Sequence, residues 1–214
     1  MVQPASLAKS LALADFVLPC QPRLTSKPPT GNGWIHEIKH DGYRIIAFRH
    51  GDRLNLWSRT AREWSDSMTS IATALRQLGR DVVLDGEAVA AGNDGLPDLL
   101  ALRSLRGRRS AHLLVFDTLS FEGRDLRSKP LIERRAVLAK LLAGAPAALH
   151  LSEHLDGDGA VIFGHACRLG LEGIVSKVKD SPYRSGHSTT WLKTKNPAYK
   201  RRDEDLASEG RESL

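Results

Sequence analysis

The sequence predicts an α+β domain in which antiparallel sheets flank a cleft and helices pack on the outside. Two observations carry that expectation. Residues 34 to 57 alternate β-rich runs with tight turns, as a meander does, and the later β-rich runs are joined by short connections that favour antiparallel pairing. Apolar stripes at helical spacing lie between the later strands and supply the outer layer.

Taken in order, residues 1 to 32 hold Pro4, Pro19, Pro22, Pro28 and Pro29 with Gly31, so an irregular arm laid over the domain is expected there. The folded domain is expected over 33 to 197. Its first strand, Trp34-Ile35-His36, ends near Lys39, and Asp41-Gly42 turns toward Ile45-Ile46-Ala47-Phe48. A Gly51-Asp52 turn leads to a third strand ending at Ser58-Arg59. Trp64, Met68, Ile71, Ala72, Leu75 and Leu78 then repeat as one helical stripe, which Gly79 closes. Residues 81 to 91 read as a strand followed by an Asn93-Asp94-Gly95 turn. That strand carries Asp85 and Glu87, and burying Glu87 without a partner would cost several kcal/mol, so it must face solvent, a cation or a ligand.

A second helix is expected from 97 to 106, leaving Arg103, Arg106, Arg108 and Arg109 as a basic cluster whose bland reading is a solvated face. Residues 111 to 117 are continuously apolar up to Phe116-Asp117, the mark of a strand covered on both faces. Pro130 opens a helix along Leu131, Arg134, Val137, Leu138, Leu141 and Leu142, with Gly144 behind it. A short strand near Leu149, a helix from 160 to 169 stopped by Gly170, and strands at 171 to 177 and 190 to 195 complete the domain. The stretch 198 to 214 is expected to be a charged, disordered tail.

Composition narrows the function class. The 214 residues include 31 Lys and Arg against 25 Asp and Glu, a formal charge of +6. From Lys200 onward four basic residues face five acidic ones, so the positive charge belongs to the body and favours anionic partners such as nucleotides or nucleic acid. Binding of that kind should be weak and steeply salt-dependent. Cys20 and Cys167 are too few for a disulfide framework or a zinc site, and a reducing cytoplasm is the simplest home. The apolar opening, Leu7 to Leu13, carries Lys9 and is too short to span a membrane.

The residues with chemistry fall in a fixed order: Lys39-x-Asp41-Gly42-x-Arg44, Ser58-Arg59, Asp85-Gly86-Glu87, Phe116-Asp117, Glu172-Gly173-Ile174-Val175-Ser176-Lys177 and Lys193-x-Lys195. This series resembles the nucleotidyltransferase domain of ATP-dependent DNA ligases, an ATP-grasp-like fold. It is most similar to the ligase modules of bacterial end-joining enzymes, with residues 34 to 44 the nearest stretch. The resemblance covers about 14 to 197 and implies that Lys39 attacks the α-phosphorus of ATP. An ordinary lysine near pKa 10.4 is protonated at neutral pH, and neighbouring cations lower that value. Lys193, Lys195 and Arg44 would supply that field while neutralising the α-phosphate. Glu87 and Glu172 offer hard oxygen ligands for Mg²⁺ or Mn²⁺, and Phe116 an apolar face for adenine. By resemblance, Arg59 and Glu87 touch the ribose, Glu37 and Ile38 lie along the adenine, and Asp41 supports the loop that holds Lys39.

Rival readings stand beside these. Lys193 and Lys195 could be edge lysines that block sheet pairing. Glu172 could pair structurally with Arg168 or Lys177, Phe116 could be plain core, and Asp117 reads as structural. The family normally continues into an OB-fold domain, which is not expected in the charged residues after Pro197. The partners this implies are nicked double-stranded DNA and a separate OB-fold or end-joining protein, with the chain a cytoplasmic, nucleoid-associated monomer. An RNA ligase or capping-type nucleotidyltransferase uses the same lysine chemistry, and a noncatalytic nucleotide- or DNA-binding remnant is the third possibility.

Overall fold

The fold is described from a computed structural model over residues 16–92 and 98–200. The apolar opening, the Asn93-Asp94-Gly95 turn, Pro97 and most of the acidic tail lie outside those residues.

Two sheets form the body. One has the order β1 (Cys20–Thr25), β11 (Gly186–Lys195), β10 (Gly173–Val178), β2 (Trp34–Ile38), β9 (His154–Leu155). The other runs β4 (Arg53–Ser58), β3 (Tyr43–His50), β5 (Val82–Val89), β6 (His112–Phe121), β7 (Arg124–Asp125), with β8 (Leu149–Leu151) also paired to β6. Pairing is antiparallel except for β1 with β11 and β6 with β8. The antiparallel α+β expectation holds, with these two parallel additions.

Three sequence expectations are corrected. The irregular arm gives way at Cys20–Thr25 to an edge strand, where Pro22 removes only one donor and the register slips between Pro22 and Arg23. The expected meander is divided, because β2 belongs to one sheet and β3 and β4 to the other. Residues 39 to 42 therefore cross between sheets instead of turning a hairpin. The first helix, α1, spans only Thr69–Leu78, and Trp64 lies in a turn before it whose N–H donates to the Leu56 carbonyl.

The expected helix near 97 to 106 also differs, since it breaks into a 3-10 turn (Ala101–Arg103) and a short α2 (Leu105–Arg109). Ser104 between them is extended and caps α2 by accepting from the Gly107 N–H. The remaining helices, α3 (Leu131–Leu142) and α4 (Gly159–Arg168), match the sequence closely.

The pleat of β3 explains the layering. Ile45 and Ala47 enter a core with Met68, Ile71, Leu75, Leu84, Leu113 and Leu138, beneath α1 and α3. Ile46, between them, points the other way into a second cluster with Ile35, Trp57, Phe116, Tyr183 and Trp191. That second cluster draws on both sheets and floors the cleft between them. Helix α4 packs on β10 and β2 at the far side.

Candidate active site

Lys39 sits where the chain leaves β2 for the other sheet, and its backbone N–H donates to the Gly173 carbonyl at 2.9 Å. Two glycines permit the close approaches that shape this point. A Cβ on Gly42 would lie 2.2 Å from the Ala88 carbonyl oxygen, so only glycine lets the loop pass against β5. Gly173, at φ 142°, brings the start of β10 against β11, where a Cβ would lie 2.1 Å from the Thr194 oxygen. That approach sets Glu172 beside both lysines of interest. Lys39 Nζ donates to Glu172 Oε2 at 2.5 Å, and Lys195 Nζ lies 3.6 Å from Oε1. Glu172 is 4% exposed and Lys39 21%, so the amine reaches the cleft while its partner stays inside.

A cavity of about 270 Å³ opens beside Lys39. Its walls include Glu37, Ile38, Arg44, Arg59, Glu87, Phe116 and Lys193, so the cleft gathers these sequence-chosen residues with Lys39. Lys195 does not line it; at 51% exposure it stands at the rim and acts on the site through Glu172. A more open groove adjoins the cavity and shares Lys39, Arg44, Arg59 and Glu87 with it.

Below the cavity, cations are matched to acids. Arg44 forks onto Asp85, with Nε to Oδ1 at 2.5 Å and Nη2 to Oδ2 at 2.7 Å. The Tyr183 hydroxyl also donates to Asp85, at 2.6 Å, and accepts from the Cys20 N–H. Glu37 points inward, accepting from Arg135 and Lys177 at 2.7 Å each. Asp117 accepts from Arg134 through both oxygens, and both residues are 0% exposed. Burial pushes the Lys177 ammonium down while Glu37 opposes it. Burial also lowers Lys193, and the charges of Lys39, Lys195 and Arg59 add to that shift. The Glu87 carboxyl is raised to about 7 by burial, an effect that Arg44 and Lys39 only partly offset.

Several roles drawn from the sequence need revision on this geometry. Arg44 is not a free cation, because Asp85 neutralises it. Phe116 is core and cavity wall at once: at 7% exposure, with Arg44 4.4 Å and Lys177 4.2 Å from its ring centroid, it presents little open face. Glu172 pairs with Lys39 and Lys195, not with Arg168 or Lys177. Glu87 and Glu172 form no preformed metal cage, since no cluster of three or more His, Cys, Asp or Glu among the described residues could hold an ion.

Sequence reasoning gave no site role to Lys177, Arg135, Tyr183, Trp191 or His40, although Lys177, Trp191 and His40 line the cavity. The available signals were Lys177 at the end of the ordered motif from Glu172 and, beside Arg135, Arg134 standing inside the apolar stripe of α3.

Known proteins resemble the domain as a whole. The chain is 36% identical over 202 residues to the multifunctional non-homologous end joining protein LigD of Pseudomonas aeruginosa, covering 90% of this chain and 24% of that protein. It is 32% identical to the SPbeta prophage-derived DNA ligase-like protein LigB of Bacillus subtilis, covering 86% of this chain and 69% of that one. A mycobacterial DNA ligase D complexed with ATP and MES superposes with a TM-score of 0.73 at 31% identity, covering 85% of this chain and 60% of the other. The ligase domain of Mycobacterium tuberculosis LigD gives 0.73 at 30% identity over 85% and 61%. The chain thus spans about a quarter of the Pseudomonas relative and about 60% of the solved mycobacterial ligases. Residues 20–195, which begin at β1 and end at Lys195, match the family described as ATP dependent DNA ligase domain, and the chain belongs to that family.

Proposed function

We propose that this domain is the adenylating half of a DNA ligase: Lys39 takes AMP from ATP as a lysyl phosphoramidate, for later transfer to a DNA 5′-phosphate during nick repair. The observation that carries the reading is an amine at the mouth of a cavity, on the link between two sheets, held by a carboxylate that also holds a second lysine.

In the proposed step the lone pair of Lys39 Nζ forms a P–N bond at the α-phosphorus. The P–O bond to the β-phosphate breaks and pyrophosphate leaves. The proton that Nζ sheds has Glu172 as its nearest acceptor, at 2.5 Å. Lys193, on the cavity wall, and Lys195, held at the rim by Glu172, are the cations that would face phosphate oxygens, because Arg44 and Lys177 are committed to acids beneath the cavity. The adenosine would occupy the cavity along Ile38, with Phe116 as part of the wall, and with Arg59 and Glu87 near the ribose.

Glu87, whose buried carboxyl is left short of positive charge, is the residue that would gain most from magnesium or manganese, and Glu172 would offer it a second carboxylate in competition with Lys39 and Lys195. Bound there, the ion would neutralise charge on the phosphates.

The partners in this reading are nicked double-stranded DNA and an OB-fold or end-joining protein that completes the grip on the duplex, with the chain acting as a monomer on the bacterial nucleoid. Two free cysteines suit a reducing cytoplasm. No helix among the described residues is long and apolar enough to cross a membrane.

The test is incubation with ATP labelled at the α-phosphate and Mg²⁺, followed by a denaturing gel and intact mass. One AMP per chain at Lys39, lost on hydroxylamine or acid treatment, is expected. No adduct on the chain alone or with an added OB-fold domain, or an adduct on another residue, overturns the reading.

A further inference from the structure

A closed circuit of hydrogen bonds ties the two sheets together behind the cavity. On one side stand Cys20 of β1 and Tyr183, in the loop between β10 and β11; on the other stand Arg44 of β3 and Asp85 of β5. The Cys20 N–H donates to the Tyr183 hydroxyl at 2.9 Å, and that hydroxyl gives its own proton to Asp85 Oδ2 at 2.6 Å. Arg44 Nη2 donates to the same oxygen at 2.7 Å and to the Cys20 carbonyl at 3.3 Å, which closes the circuit. Both backbone groups of one residue in the first sheet are thus held through an acid of the second.

The place of Cys20 in its strand explains why it needs such partners. Successive residues of a strand turn their backbone groups to opposite edges, and the Pro19 carbonyl already accepts from the Gly186 N–H of β11. Cys20 therefore faces away from β11, and β1 is the last strand of its sheet. Its N–H and carbonyl are buried with a residue that is 2% exposed, so they require acceptors and donors from elsewhere. Tyr183 is itself well fixed. Its N–H donates to the Arg127 carbonyl at 2.8 Å, and its ring stands at 90° to Trp191. Burial pushes the phenol well above its ordinary value, so the hydroxyl keeps the proton that it gives to Asp85.

The cavity opens between the elements that the circuit joins. Cys20, with Pro19, Gln21 and Pro22, forms one stretch of its wall and Arg44 another, whereas Tyr183 and Asp85 stand behind the lining. Pairing with β11 places β1 within its own sheet and does not set its distance from the other. The circuit fixes that distance at a residue of the cavity wall.

We infer that Tyr183 is a positioning residue for the nucleotide: through Cys20 and Asp85 its hydroxyl sets the separation of the two sheets at the cavity, and with it the fit to ATP, without touching ATP. This deepens the ligase reading above and rests on it. Lys39 is held separately, by the Gly173 carbonyl and by Glu172, so loss of the hydroxyl lowers affinity for the nucleotide and leaves the attack on phosphorus intact.

The experiment uses the full chain with Tyr183→Phe, which removes the hydroxyl and keeps the ring against Trp191. Ile71→Val, in the core beneath α1, is the control for a loss of stability alone. Single-turnover adenylate formation is followed against ATP concentration, ATP binding by calorimetry, and stability by urea unfolding. Tyr183→Phe should raise both KM and Kd for ATP about tenfold with the maximal rate unchanged, because a cavity that must be drawn together binds less tightly. Ile71→Val should lower the urea midpoint and leave KM at the wild-type value. In the wild type, ATP should slow hydrogen exchange at the Cys20 amide, followed by NMR, since nucleotide and circuit favour the same separation of the sheets. That measurement stands whether or not the variant folds. Unchanged KM and Kd in Tyr183→Phe would overturn the proposal, as would a fall in maximal rate at constant KM. An equal rise of KM in Ile71→Val, or ATP binding that leaves exchange at Cys20 unaltered, would overturn it too. A wild type that binds ATP but forms no adenylate defeats the ligase reading alone, because Kd and exchange still decide the role of Tyr183. A wild type that binds no ATP overturns both.

Discussion

Glu87 should make the fold less stable as pH rises, and Glu87→Gln should remove that dependence. Burial in the cleft wall raises this carboxyl from 4.5 to about 7, even with Arg44 and Lys39 nearby. The folded state therefore keeps a proton that the unfolded chain has released between those values. The sign follows directly: stability from the protonated form is fully present below pH 4.5 and is lost as pH rises through 7. At 1.36 kcal/mol per unit the shift corresponds to about 3 kcal/mol, and screening from the open side of the cleft reduces this to about 2. Urea denaturation of both proteins at half-unit steps from pH 4.5 to 8.5 measures the effect. The two should agree at the acidic end, and Glu87→Gln should be the more stable by about 2 kcal/mol at pH 8. Magnesium with nucleotide should narrow the gap by stabilising the wild type more than the variant. A difference that stays constant with pH, or a wild type that gains on the variant as pH rises, would refute the reasoning.

Three further outcomes are expected. Lys39→Ala and Lys39→Arg should both abolish covalent AMP in intact mass, since a guanidinium stays protonated and cannot attack phosphorus, while weak ATP binding persists by calorimetry. Glu172→Ala should slow adenylate formation without erasing it and recover part of the loss in excess Mg²⁺, and Lys195→Ala should slow it with no such recovery, as single-turnover assays across metal concentrations would show. Gly173→Ala should lose about 2–4 kcal/mol in urea unfolding, because the added Cβ meets the Thr194 oxygen at 2.1 Å in a backbone conformation that disfavours side chains.

The elements that the sequence made legible are those whose signal is local. Helix α3 is bounded by Pro130 and Gly144, and β6 declares itself by an unbroken apolar run, because capping and two-sided burial act on adjacent residues. Strand β1 was hidden by Pro22, which reads as a strand breaker until the parallel partner β11 is known to lie on one side only. The division of the meander was equally invisible, since strand signals in β2 and β3 do not say which sheet each strand joins. At the site, ordered motifs pointed to the residues of the cavity, yet their partners lay out of reach of any local pattern. Arg135 meets Glu37 across 98 positions and Lys177 meets it across 140. A charged residue on a helix or strand reads as solvated until the fold supplies its counterion. Arg134 is the instructive exception, because a cation in line with Leu131 and Leu138 either breaks the stripe or requires a buried acid.

Those pairings also decide which charges remain for chemistry. Arg44, Lys177, Arg134 and Arg135 lie beneath the cavity, each bonded to Asp85, Glu37 or Asp117, and removing one partner from such a pair costs about 3–5 kcal/mol. They are therefore poor candidates to swing toward a phosphate, and they act instead as a fixed floor whose cations rest on Phe116 and Trp191. The groups that can respond to an incoming triphosphate are the ones at the opening. Lys39 is among them, but in this structure its Nζ is held as a donor by Glu172, and it carries the lone pair needed for attack only once it has shed a proton. Any nucleotide that binds productively must loosen that contact, either by drawing Lys195 off the other carboxylate oxygen or by bringing a cation to share Glu172. The carboxylate at the base of β10 thus couples the arrival of the phosphates to the release of the nucleophile.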